Sequence, residues 1–403
     1  MMNVNRRQAV KKIANFLGCA PLLVSQLTNA PISFAKPLQN KKILVVLELS
    51  GGNDGLNTLV PYEDDAYYKH RPNIGIPKNK VRKIDDYFGF NPGLAGFEQL
   101  YKDGMMAIVH GCGYEQPSFS HFTSMAYWHT AAPNSGEQTG WIGRLADALN
   151  ENNAPHEIIN IDSEQSLAVT AEGVVPIVFD NPESFVRKSL FQEKKLLDKM
   201  TEYKSCSSDA CNFLSNLAQS AKDASVLVRE AWQHYNSTVD YGIDPVDLNK
   251  IASLINYGLD TPLYYTSFRN NAFDTHVQQN NLHQRLLTYA SDAVAGFFED
   301  MRRMKREDDV SMLIFSEFGR RVPENTSLGT DHGTANHAYV IGKKVRGGQY
   351  GAPPSLNNLD AGDNFEFTTD FRRVYATLIE EWIGYKNSEK ILRKKFETFG
   401  MFS

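Results

Sequence analysis

An α/β fold built on a mainly parallel sheet is what this sequence predicts, and three observations carry the prediction. Four continuous apolar runs rich in branched residues, at 42–49 (KILVVLEL), 105–110 (MMAIVH), 310–315 (VSMLIF) and 338–342 (AYVIG), read as strands buried on both faces. Amphipathic helical stretches alternate with them, at 94–101, 122–130, 140–149, 282–305 and 369–384, the last with Thr368 or Thr369 as its N-cap. Carboxylates and imidazoles cluster at or just after strand ends, where open α/β sheets gather their ligands.

The segments between these elements fill out the order. Ser50 to Gly55 is a glycine-rich turn, and Asn57 to Val60 starts a helix or extends that turn. Residues 62–92, rich in Pro and Lys, read as loop. Short apolar runs between 155 and 180 (IINI, LAVT, VVPIVF) suggest further strands, and 185–267 reads as mostly amphipathic helix packed beside the core. The chain therefore divides into a leader over 1–35 and one α/β domain over 36–403, with a helical insertion at about 185–265.

A length of 403 residues is ample for one large core, and a net charge of −5 without a basic stripe excludes a nucleic-acid footprint. No apolar run in the mature chain approaches the roughly 20 residues of a membrane span. Arg6-Arg7 with Lys11-Lys12 forms a basic block, Ile13 to Leu27 is apolar with small residues, and Ser33-Phe34-Ala35 offers a cleavage site. This three-part plan is that of an export signal of the twin-arginine type, which implies the twin-arginine machinery as a partner and a periplasmic or secreted location. Of the four cysteines, Cys19 leaves with the leader and Cys112 reads as a buried thiol. Cys206 and Cys211 are close enough for a loop disulfide in an oxidising compartment.

Six residues have the chemistry of metal ligands. Asp54 lies in the turn after the first strand, and Asp274 and His276, two apart, share one side of an extended segment. Glu317 closes a strand, and Asp331-His332 lies between glycines in GTDHGTANH. His332 suits a neutral imidazole ligand, with Asp331 as co-ligand or as the carboxylate that orients it. Their mixed O/N chemistry fits zinc, manganese or magnesium, and the histidines disfavour calcium. Ser120, or Ser118 as an alternative, opens a helix where backbone N–H groups favour an anion, and so reads either as a nucleophile or as a simple cap. His121 reads as a ligand, a phosphate contact or a structural histidine. His283 and His337 stay open between ligand and core. Arg320 or Arg321 can clamp an anionic group.

The stretches GGNDGLNTLVPY, HGCGYEQPSFSHFTSMAYWHTA, FDTHVQQNNLH and FSEFGRRVPENTSLGTDHGTANHAYVIG, with VRGGQYG and TTDFRRVYATLIEEWIG, resemble domain-of-unknown-function family 1501, a divergent branch of the alkaline-phosphatase and sulfatase superfamily. The resemblance implies a doubly wound three-layer sandwich with a metal site at the strand ends. It matches Asp54 to the superfamily's first-strand aspartate, Ser120 to the nucleophile position and Asp274 with His276 to one metal's ligand pair. It also matches His332, with Asp331, to the late histidine ligand. Glu317-Phe318 stands where the superfamily has Asp-His, and no Cys-x-Pro-x-Arg signature of formylglycine sulfatases is present. The expected activity is metal-dependent hydrolysis of a phosphate or sulfate ester, on a small molecule or a glycan. The alternative is a non-catalytic envelope protein that keeps the fold and binds an anion or a polysaccharide.

Overall fold

The computed structural model describes residues 42–150, 157–185, 223–259 and 261–402. The leader and the Cys206–Cys211 pair lie outside the described residues. Strand β1 (Ile43–Leu49) alternates between two apolar layers, with Ile43, Val45, Leu47 and Leu49 in one and Leu44 and Val46 in the other. Period-two alternation in a strand buried on both faces requires helices on both sides. Helices Ala95–Lys102, Leu248–Tyr257 and Gln279–Arg303 supply the first layer. Helices His121–Thr130, Trp141–Leu149 and Arg372–Thr377 supply the second, around Trp128, Trp141 and Trp382.

The small sheet is β2 (Leu59–Pro61), β3 (Arg82–Lys83) and β4 (Phe88–Phe90), in the order β2-β4-β3. The large sheet takes β5 (Met106–Gly113), β6 (Ile158–Ile161), β7 (Ile177–Phe179), β8 (Leu263–Phe268), β9 (Val310–Phe315), β10 (Asn336–Ile341), β11 (Gly348–Tyr350) and β12 (Thr369–Asp370) beside β1. Its nine strands follow the order β11-β5-β10-β9-β1-β8-β6-β7, with β12 also on β5. Strands β9, β1, β8, β6 and β7 are mutually parallel, whereas β10 runs antiparallel to both β9 and β5. The loop entering β10 therefore lies at the same rim as the carboxyl ends of its neighbours.

The mixed α/β architecture with a large, mainly parallel sheet is as expected, and all four strands read from apolar runs are present. Four stretches differ. Residues 62–92, read as loop, hold the helix Asp65–His70 and strands β3 and β4. β8, which pairs with β1 at the centre, lies in the stretch read as helical. Its sequence LYYTSF carries hydroxyls that mask a buried strand. The run LAVT is a short 3-10 turn, Leu167–Val169. In the C-terminal stretch Thr369 belongs to β12, and the helix begins at Arg372 and continues as a π-helix over Leu378–Ile383. Glu48, the acidic residue of β1, is tolerated in the core because it pairs with His129 at 2.6 Å and accepts from the Tyr265 hydroxyl. Among the described residues no helix is long and apolar enough to cross a membrane.

Candidate functional site

Five chain segments meet at the carboxyl rim of the sheet: the turn after β1, the approach to helix His121–Thr130, the loop after β8, the residues after β9 and the loop entering β10. The turn after β1 depends on its glycines. Gly51 and Gly52 have φ of +113° and +67°. A Cβ on Gly51 would meet the Asn271 carbonyl oxygen at 2.6 Å, and one on Gly52 would meet the Phe318 ring at 2.2 Å. Only glycine admits both the dihedral and the approach.

Beyond these glycines the turn forms a closed polar knot. Asp54 caps the short helix Gly55–Thr58, one oxygen accepting from the N–H groups of Leu56 (3.1 Å) and Asn57 (3.3 Å). Its other oxygen accepts from Arg71 Nη1 at 2.7 Å and Gln279 Nε2 at 2.5 Å. Arg71 also donates to Asn57 Oδ1 and to the carbonyls of Arg321 and Val322. Asp54 and Arg71 are both fully buried. Burial pushes the Asp54 carboxyl up, but Arg71, His283 and Gln279 together outweigh it and hold the group below the usual carboxylate range. Four donors occupy the two oxygens, which leaves Asp54 nothing to offer a cation. His283 belongs to the same knot, with Nε2 2.8 Å from Asn53 Oδ1 and burial pushing it down to about 4. His337 is also apart from the ligand cluster, its ring centroid 5.1 Å from that of His110.

Three imidazoles and a carboxylate face one another a short way along the rim. His121, Asp274 and His332 each offer a ligand atom, and these atoms lie within 4.8 Å of one another. His121 Nδ1 is 2.7 Å from Glu317 Oε1, and its buried Nε2 has no hydrogen-bond partner, 3.4 Å from Asp274 Oδ2. His332 Nδ1 is 2.7 Å from the Phe119 carbonyl oxygen, an acceptor, so Nδ1 carries a proton. His332 Nε2 lies 3.2 Å from Asp274 Oδ1 and 2.9 Å from His276 Nε2. His276 Nε2 lies 2.9 Å from Asp274 Oδ1, and His276 Nδ1 is 3.5 Å from Asp331. Each ring thus turns Nδ1 to a protein acceptor and Nε2 to Asp274, as metal-binding histidines do. The Glu317 hydrogen bond raises the His121 pKa, while burial lowers that of His332.

The supporting residues explain the geometry. Glu317 is fully buried and accepts from the Gly51 N–H, Ser316 Oγ and His121, so it orients His121 and does not itself reach the cluster as a ligand. Phe318 lies beside His121 and His332 at ring-centroid distances of 4.9 and 4.7 Å. The Arg320 side chain is 0% exposed. It donates to the carbonyls of Gly51, Gly52, Phe273 and Thr330 and to Asp274 Oδ1, and its remaining Nη1 N–H lies 3.4 Å from His276 Nε2, so no N–H remains to clamp a substrate anion. Ser120 is the exposed N-cap residue of the ten-residue helix His121–Thr130, and its hydroxyl makes no capping bond. Ser118 Oγ is taken by the Ser120 N–H. Of the residues read from sequence, His121, Asp274, His276, Asp331 and His332 come together. Asp54 is placed in the knot, and Glu317 and Arg320 behind the cluster. Arg71 and Gln279 carried no sequence signal, because their partner Asp54 is 17 and 225 residues away.

Asp274, His276 and His332 of this constellation, but not His121, lie within a stretch with a family match. Residues 261–386 match the family described as "Protein of unknown function (DUF1501)". The DUF1501 match bears out the resemblance read from sequence and spans β8 to the C-terminal helices, including Asp274, His276, Glu317, Asp331 and His332. Comparison with curated proteins finds no match. Among solved structures, the chain is similar to a protein in the alkaline phosphatase superfamily from Vibrio parahaemolyticus (12% identity, 88% of this chain and 70% of that one, TM-score 0.41). It is also similar to the PsFucS1 sulfatase from Pseudoalteromonas sp. (12% identity, 90% and 71%, TM-score 0.40). A third is the lipoteichoic acid synthase LtaP from Listeria monocytogenes (10% identity, 90% and 81%, TM-score 0.41). These likenesses concern the arrangement of strands and helices.

Proposed function

We propose that this protein is a metal-dependent hydrolase of phosphate or sulfate esters, with one divalent cation held by His121, Asp274 and His332 and with His276 beside them. One observation carries the reading: His121 Nε2 is buried without a hydrogen-bond partner while Glu317 holds the opposite nitrogen of the ring. A buried imidazole nitrogen left unpaired is costly unless a ligand completes it. The donor set narrows the ion. Imidazole nitrogens with a carboxylate suit zinc, then manganese, and count against magnesium and calcium, which take oxygen ligands.

When bound, such a cation polarises the ester oxygen and offsets charge developing on it. The chain's own residues do the rest. Glu317 and the Phe119 carbonyl hold two rings by Nδ1, with Nε2 turned to Asp274. Ser120 is the nucleophile of this reading, at a helix start whose free N–H groups favour an anion. Arg320 supports the site by holding Asp274 and the surrounding carbonyls. Export rests on the basic block Arg6-Arg7 and the apolar run behind it.

The test is elemental analysis of the purified mature protein with turnover of p-nitrophenyl phosphate and p-nitrophenyl sulfate. Wild type should carry a single equivalent of zinc or manganese and cleave one of the esters. His332→Ala should lose both metal and turnover with an unchanged far-UV circular dichroism spectrum. Metal bound without turnover of either ester would leave a binding protein on the same fold, and failure to bind any divalent ion would remove the reading altogether.

A further inference from the structure

Nine large hydrophobic side chains are exposed among the described residues, and five of them lie on the segments that supply the three histidines. Phe122, 90% exposed, follows His121, and Phe119, 43% exposed, supplies the carbonyl that holds His332. Val277, 61% exposed, follows His276, and Leu282, 36% exposed, lies in the first turn of the next helix. Leu328, 37% exposed, joins this group through its carbonyl, which accepts from Gln279 N–H at 2.8 Å. Its neighbour Gly329 is packed so tightly on His276 that an added Cβ would stand 2.2 Å from the His276 backbone. The remaining four are spread over other parts of the fold.

The same lips lack formal charge. Residues 118–122, 275–282 and 327–330 contain no Lys, Arg, Asp or Glu, in a chain of which 22% is charged. Of the two arginines bordering them, Arg320 is spent on protein carbonyls and Asp274, and the exposed Arg321 faces the carboxylates of Asp331 and Asp360. A surface that recognised a multiply anionic substrate beyond the reacting group would need free cations here. Exposed apolar side chains gathered on the segments around a polar centre instead mark a place where an apolar group is removed from water.

We infer that the histidine–aspartate cluster takes esters whose alcohol portion is uncharged and apolar, an aryl or alkyl group that packs on Phe119, Phe122, Val277 and Leu328. This rests on the ester-hydrolase reading and adds the substrate class to it. The anionic group faces the cluster and its cation, and the apolar group lies on the lips. Phe119 and Phe122 are then specificity-determining residues, because they touch the part of the substrate that does not react.

Non-hydrolysable anions separate the two ideas. Phenylphosphonate and methylphosphonate share the head group and differ only in the apolar portion. In calorimetric titrations of the zinc-loaded full-length mature protein, phenylphosphonate should bind roughly tenfold tighter than methylphosphonate. In the Phe119→Ser/Phe122→Ser protein that ratio should fall below about threefold, through weaker phenylphosphonate binding alone. Both side chains are exposed, so the fold tolerates the change, and Val277→Ser/Leu328→Ser provides an independent pair expected to move the ratio in the same direction. Equal affinities in wild type, or a ratio that survives both double substitutions, overturn the apolar lips and leave the hydrolase reading standing. Zinc binding with no affinity for either phosphonate overturns the hydrolase reading and the lips with it.

Discussion

The Asp54 knot and the His121–Asp274–His332 cluster lie at the same sheet rim and draw on the same residue types, yet they are opposites in hydrogen bonding. In the knot, four donors saturate one carboxylate, and Arg71 spends its guanidinium on Asp54, Asn57 and two carbonyls. In the cluster, three Nε2 atoms face one carboxylate, and one of them is buried without a hydrogen-bond partner. Ligand-type residues at strand ends thus divide into those that finish the fold and those that wait for something else. The count of satisfied lone pairs tells them apart.

Removing a member of the knot should therefore cost stability, whereas removing a member of the cluster should cost metal affinity. Arg71→Leu is the most severe case, because it leaves the Asp54 charge buried and unpaired. It should lower unfolding free energy by about 3–5 kcal/mol in urea titrations while the folded fraction binds zinc as wild type does. A large loss of zinc affinity in that variant would erase the distinction. His283 sharpens it through pH. Its folded-state value, about 4 against an ordinary 6.5, means that the unfolded chain binds the extra proton between those pH values. Stability should then be full above pH 6.5 and decline as pH falls toward 4, by up to about 3 kcal/mol. In His283→Gln that slope should flatten, as read by urea midpoints across the range.

Effects in the cluster should appear as affinity. Glu317→Gln keeps the volume but weakens the hold on His121 Nδ1, and should reduce zinc affinity by roughly 10- to 100-fold in a chelator competition. If Glu317 were itself a ligand the loss would be far greater, with fewer protein donors in the metal's X-ray absorption spectrum. Asp331→Asn stands last. Asp331 is half exposed and 3.5 Å from His276 Nδ1, so its loss should cost less than about tenfold in the same assay.

Much of this was legible in the sequence, for reasons that can be stated residue by residue. Strands β1, β5, β9 and β10 announce themselves because a strand covered on both faces is a continuous apolar run. β8 was hidden because Tyr264, Tyr265, Thr266 and Ser267 bring hydroxyls into a buried strand. Asp274, His276 and His332 stood out through local pattern, two apart in one stretch and beside an aspartate between glycines in the other. The roles of Asp54, Glu317 and Arg320 were not legible, because they depend on which donors lie across the fold. Asp54 meets Gln279 from 225 residues away, and Glu317 meets His121 from 196. No spacing rule in a single sequence encodes such pairings.

Arg320 also bears on how the rim moves. One guanidinium fastens the turn after β1, the loop after β8 and the loop entering β10 through the carbonyls of Gly51, Gly52, Phe273 and Thr330. Opening any one of these loops exposes a cation that the other two must then solvate, so the three should fray together as a single cooperative unit. Amide hydrogen exchange at residues 51, 274 and 330 would then report one shared opening event, and a rim that opens all at once admits or releases its contents in one step.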